Sequence, residues 1–283
     1  MAAEAPRTVD LPGSRVAYRE SGSGSPLLFI HGWPLSSLTW RKVIPALEPS
    51  HRCIAVDLLG AGDTQAALDF DFSIPAQARM LAAFLDALDL PVVTLVAHDS
   101  GATIGRQLAV EHPERVSRFV MFDTEVPHHV PRMVAFLQMA ARLPGSDRIF
   151  RPFVNSRRYL HSRLGFGNVA YDLSALDLDE LLEVVVEPQL GSRNSLRSSL
   201  KFLVEFENNA LNCLPHERLT MRKLVLWGDH DTFFPLAWGR ELFALLPEPK
   251  SFCTIADCGL LPHEERPSEW LAAVRPFLAD TPA

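Results

Sequence analysis

V-A-H-D-S-G occupies positions 96–101, directly after the apolar run P-V-V-T-L-V-A (91–97) and directly before a stretch of helical spacing that stops ahead of Pro113. Where a strand turns straight into a helix, the residue at the turn has strained backbone angles, so the residues two before and two after it must be small. Centred on Asp99, those neighbours are Ala97 and Gly101. Centred on Ser100, one of them would be His98, which is too bulky. The pattern therefore selects Asp99 as a reacting side chain presented at the carboxyl end of a strand. The plainer reading is an aspartate that only caps the following helix. Asp99 suits both, because a helix N-terminus stabilises an anion.

Outward from this turn, short buried strands alternate with helical patterns. R-V-A-Y-R-E (15–20) alternates like a half-exposed strand, and P-L-L-F-I (26–30), R-C-I-A-V-D (52–57) and R-F-V-M-F-D (118–123) read as further strands. Helical spacing covers 38–47, and Ser73 caps a helix whose first turn holds Pro75. From about 127 to 213 the pattern is mostly helical, with many arginines and no convincing buried strand. The alternation resumes with K-L-V-L-W-G (223–228), a helix over 236–246, S-F-C-T-I (251–255) and a closing helix over 264–278. This rhythm predicts an α/β fold with a doubly wound, mostly parallel sheet. Its core is expected from 1–126 and 214–283, with a helical insertion over 127–213 covering the strand ends where such sheets bind ligands.

The totals narrow the partners. The chain has 283 residues, 27 basic against 34 acidic, and a net charge of −7 without a basic run. Nucleic acid and anionic membrane surfaces are poor partners for that balance. No apolar stretch approaches the ~20 residues of a spanning helix, and the first ten residues carry no secretory apolar region. Cys53, Cys213, Cys253 and Cys258 are scattered, as expected of free thiols in a reducing compartment. A cytoplasmic location without metal or organic cofactor is the expectation.

Two further motifs carry chemistry. F-I-H-G-W-P (29–34) follows the first buried strand, and there the backbone N–H groups of Trp33 and Ser100 are expected to converge as an oxyanion hole. Trp33 otherwise reads as packing, although its indole N–H suits a leaving group. L-W-G-D-H-D-T-F-F-P (226–235) puts Asp231 three residues past a strand-ending glycine, where a carboxylate orients a histidine. Asp123, at the end of the preceding core strand, is the alternative acid, and turn chemistry is the plainer role for either.

These motifs, with G-A-G-D-T (60–64), H-P-E-R-V (112–116) and H-E-E-R-P (263–267), resemble the α/β-hydrolase superfamily over nearly the whole chain. Within it they are most similar to the epoxide hydrolase and haloalkane or haloacetate dehalogenase branch, with the helical insertion as the family's cap. The resemblance implies that Asp99 attacks an sp³ carbon and forms an alkyl ester, which a histidine-activated water then hydrolyses. An aspartate suits displacement at carbon, whereas serine suits acyl transfer.

The sequence departs from that pattern in A-D-C-G-L-L-P-H-E-E-R-P (256–267), where Leu260 follows the glycine in place of the family's histidine. Leucine transfers no proton. His263 is the candidate replacement base; His98 should point away from the nucleophile, and His128, His129 and His230 read as loop residues, with His128 near the pocket mouth. Ser100 replaces the tryptophan that holds halide in haloalkane dehalogenases. Ser100 and Thr103 take the places of the carboxylate-clamping arginines of the haloacetate type, with Arg106 a turn later. Tyr159 and Tyr171 are the tyrosines of the insertion, and Phe202 and Leu203 stand where relatives often carry one. The expected pocket is therefore Tyr159, Tyr171, Phe202, His128 and Leu260, binding a small hydrophobic molecule, with homodimerisation possible. A repurposed member that only binds such a ligand, or isomerises or cyclises it, is the second reading.

Overall fold

A computed structural model describes residues 5–206 and 211–279. Its nine-stranded sheet has the order β1-β2-β4-β3-β6-β7-β8-β9, with β5 (Gln65–Ala66) paired to β2. β1 (Arg7–Leu11) and β2 (Ser14–Ser21) join antiparallel at one edge. From β4 (His51–Val56) through β3 (Ser25–Ile30), β6 (Val93–His98), β7 (Val116–Phe122) and β8 (Arg222–Gly228) to β9 (Lys250–Ile255) the pairing is parallel. This is the α/β, doubly wound, mostly parallel architecture expected from the sequence.

Continuous apolar runs build the central strands because both faces are buried. Along β3, Leu28 and Ile30 join the core with Phe84, Leu85 and Leu108, from α1 (Ile74–Ala87) and α2 (Ser100–Glu111). Leu27 and Phe29 face the opposite core, with Trp40 and Trp270. The chain passes from β3 to β4 on one side and places β6 on the other, so the carboxyl ends of β3 and β6 lie side by side, with Ile30 opposite Ala97. Ligands bind at such a reversal of strand order. Between β7 and β8 the described residues form helices, among them α3 (Arg132–Ala141), α4 (Ser146–Val154) and α5 (Arg193–Glu205). α6 (Leu236–Leu245) and α7 (Pro267–Ala279) complete the layers.

Several local expectations change. The helix expected over 38–47 is two 3₁₀ turns, Ser37–Lys42 and Ile44–Ala46, because Pro45 lacks the N–H that a continuous helix needs. The closing helix begins at Pro267 after a separate turn, Pro262–Glu265, because the residue before a proline is pushed out of helical angles. β1 and β5 are additional strands, with Gly13 at φ 82° turning β1 into β2.

Candidate active site

Asp99 has φ 51° and ψ −133°, a conformation that costs on the order of 1–3 kcal/mol for a residue other than glycine. The surrounding small residues make the turn possible. A Cβ on Gly101 would lie 2.4 Å from the His31 carbonyl oxygen, and one on Gly32 would lie 2.5 Å from the Asp99 Cβ. The turn aims the Asp99 carboxyl into a cavity of about 510 Å³. Apolar side chains dominate the walls, including Leu137, Phe150, Leu196, Leu200, Phe202 and Leu203 from the helices between β7 and β8.

The expected oxyanion donors are both at the site. The Ser100 N–H donates to Asp99 Oδ1, while the Trp33 N–H donates to the Ser100 hydroxyl at 3.0 Å. Ser100 thus occupies one of the two donors with its own side chain. The Trp33 indole is not turned to a leaving group: its Nε1 donates to the carbonyl oxygen of Ser199 at 3.0 Å and to its Oγ at 2.9 Å.

Asp123 and Asp231 come together under the strand ends, both buried. Asp123 Oδ1 accepts from the Gly228 N–H at 2.9 Å, and Asp231 Oδ1 accepts from the N–H groups of Phe233 and Phe234 at 2.7 and 3.0 Å. Their Oδ2 atoms meet no donor, and the two carboxyls face each other. Burial, then the opposed Asp231, pushes Asp123 well up. Burial also pushes Asp231 up to about 7, against the pull of its two N–H donors. The acid expected to orient a histidine stands against a second acid.

Leu260 lines the cavity and presents hydrocarbon where the family pattern has imidazole. Tyr159 and Phe202 also line it, as expected. Three expectations are corrected. His263 does not line the cavity: it is fully buried between Trp40 and Phe122, bonded through Nε2 to Thr39 Oγ1 at 2.8 Å, and burial holds it far below the usual histidine range. Tyr171 is 52% exposed and lies on the His230 ring at 3.9 Å, outside the cavity wall. His128 is exposed and likewise outside it, in a left-handed turn whose N–H donates to Asn212. His98 turns its ring away from the nucleophile, with Nε2 2.9 Å from the Leu260 carbonyl oxygen and burial holding it down to about 3.

One residue at the site escaped the sequence reading. Glu125 is buried, lines the cavity, and sets its carboxyl within hydrogen-bonding reach of Asp99. Burial, then the charge of Glu125, raises Asp99 well above the ordinary aspartate range. The signal was D-T-E-V-P (123–127), which puts two acids just past one strand end, although only the first matches a family position. No group of three or more His, Cys, Asp or Glu among the described residues could hold a metal ion, and no described helix is long and apolar enough to cross a membrane.

A haloalkane dehalogenase of Mesorhizobium japonicum is 44% identical over 117 residues, 40% of this chain and 38% of that protein. One of Agrobacterium fabrum is 36% identical over 150 residues, 51% of this chain and 49% of that protein. The chain thus spans less than half the length of these curated relatives. Among solved structures, the epoxide hydrolase CorEH superimposes with a TM-score of 0.75 at 23% identity, over 96% of this chain and 99% of that one, a likeness of fold. The pattern of the alpha/beta hydrolase fold matches residues 25–267. The chain belongs to the alpha/beta hydrolase fold family.

Proposed function

We propose that the protein opens a small apolar haloalkane or epoxide by attack of Asp99 on an sp³ carbon, leaving an alkyl ester on the enzyme. The observation that carries this reading is a strained, half-buried aspartate on the wall of an apolar cavity of about 510 Å³. Such a turn presents its side chain to a bound substrate, the carboxylate of Asp99 suits attack at a saturated carbon, and the apolar walls exclude water that would compete with it. The Ser100 N–H holds the second oxygen of Asp99 and would hold the ester carbonyl in the same place. On the same cavity wall, burial raises Tyr159, so its phenol keeps the proton that an opening epoxide oxygen needs. We assign the described helices between β7 and β8 the role of the cap that supplies Tyr159 and Phe202.

The test is the intact mass of the chain after incubation with primary haloalkanes and 1,2-epoxides, beside Asp99→Asn. A mass gain equal to the alkyl fragment, lost in the variant, is expected; product or adduct formed equally by Asp99→Asn overturns the reading. A second reading, a pocket that binds a small hydrophobic molecule without hydrolysing it, is favoured by Leu260 on the cavity wall. That reading predicts saturable ligand binding with no adduct.

A further inference from the structure

We propose that Glu125 is the general base that hydrolyses the Asp99 ester, in the absence of a histidine at position 260. The inference rests on Asp99 being the nucleophile and adds the residue that completes turnover.

Glu125 is held more firmly than a wall residue needs to be. Thr103 Oγ1 donates to Glu125 Oε2 at 2.6 Å, and the Thr103 oxygen accepts from Arg106 Nη2 at 2.8 Å. The same Nη2 donates to the Glu125 carbonyl oxygen at 2.6 Å and to Thr124 Oγ1 at 3.2 Å. Thr124 Oγ1 in turn donates to the Asp99 carbonyl oxygen at 2.8 Å and lies 3.2 Å from Glu125 Oε2. One buried guanidinium therefore orients both hydroxyls that bracket Glu125 and ties that carboxyl to the nucleophile's own backbone. Arg106 is fully buried, and Glu125 supplies the charge that opposes it. A buried cation and hydroxyl donors together suit an acceptor-only carboxylate.

Two carboxyls this close oppose each other's charge, so the resting pair is costly. Alkylation of Asp99 removes that opposition. The ester is neutral, and Glu125, beside Asp99 on the cavity wall, is left as the acceptor for the proton of a water that attacks the ester carbon. The water oxygen bonds to the Asp99 Cγ while its proton passes to Glu125. The tetrahedral oxyanion takes the Ser100 N–H. Collapse breaks the bond from Cγ to the alkyl oxygen, and the departing alkoxide recovers the proton from Glu125. Alcohol leaves, Glu125 is again a carboxylate, and Asp99, released as a carboxylic acid, loses the second proton of the water to solvent before the next attack.

The other acids and bases nearby are committed elsewhere. His98 is bonded to the Leu260 carbonyl, His263 to Thr39 away from the cavity, and Asp123 and Asp231 are set against each other. Arg106 and Thr103 are positioning residues, acting only through Glu125.

The experiment follows a single turnover with the full chain in excess over a reactive 1,2-epoxide or haloalkane, reading adduct by mass and alcohol by chromatography. Wild type is expected to form and release the ester. Glu125→Gln is expected to form it and release it roughly 10²–10⁴-fold more slowly, the usual consequence of losing a positioned base. Equal release by the two chains overturns the inference. Stable retention of the adduct by wild type also overturns it, while leaving Asp99 as the nucleophile. Absence of both adduct and alcohol in wild type overturns the Asp99 reading and this inference together. If Glu125→Gln forms no adduct, Glu125→Asp carries the comparison: slowed release supports the role, and unchanged release rejects it.

Discussion

Replacing Asp231 by Asn should make the protein more stable, and only at neutral to alkaline pH. Asp231 is pushed from 3.8 up to about 7 in the folded protein because it is buried and has no cation beside it. A carboxyl whose folded value is raised binds its proton more tightly when folded. Its contribution is therefore fully present below the unfolded value, near 3.8, and is lost as pH rises through about 7. At about 1.4 kcal/mol for each pH unit, that loss amounts to ~4 kcal/mol by pH 8. Asn keeps the acceptor that takes the N–H groups of Phe233 and Phe234, and it turns an amide donor toward the Asp123 Oδ2 that now lacks one. The variant should gain about 2–4 kcal/mol at pH 8 and change by less than about 1 kcal/mol at pH 4.5. Urea unfolding at the two pH values measures this directly. A variant less stable than wild type at pH 8, or the same difference at both pH values, refutes the picture of an opposed acid pair.

Other expectations follow from the same residues. Introduced into Glu125→Gln, Leu260→His should restore release of the ester by a factor of ~10² or more, because imidazole is then set on the cavity wall; the decay of adduct mass with time checks it. Asp99 reacts only as a carboxylate, and burial and the facing Glu125 and Asp231 raise it while the Ser100 N–H lowers it. Adduct formation should accordingly quicken as pH rises through that raised value, and a flat rate between about pH 5 and 9 counts against it. Phe202→Ala removes a ring that is 1% exposed and lines the cavity, so it should cost about 3–5 kcal/mol in urea unfolding and shift preference toward longer alkyl chains in a competition assay.

The sheet was legible in the sequence because its inner strands are buried on both faces and so read as unbroken apolar runs. The two short edge strands were not: Gln65–Ala66 is too brief to show a period, and Arg7–Leu11 is mostly exposed. The spacing of small residues around Asp99 was legible because the turn leaves no room for a Cβ on Gly101. The function of single histidines was not, because sequence distance says nothing about which side of the turn a ring occupies. His263 lies only three residues past Leu260, yet Leu260 lines the cavity and His263 lies among Trp40 and Phe122. Glu125 was missed for the opposite reason. Its partners Thr103 and Arg106 lie on α2, so its role depends on contacts between elements that no local pattern records.

The distinction between attack by Asp99 and direct attack by water is decided by a single turnover in ¹⁸O-labelled water with enzyme in excess. If the ester forms on Asp99 and is hydrolysed at Cγ, the label enters the peptide that contains Asp99, and the first-turnover alcohol carries none. Label in the alcohol, with none at Asp99, would contradict the account.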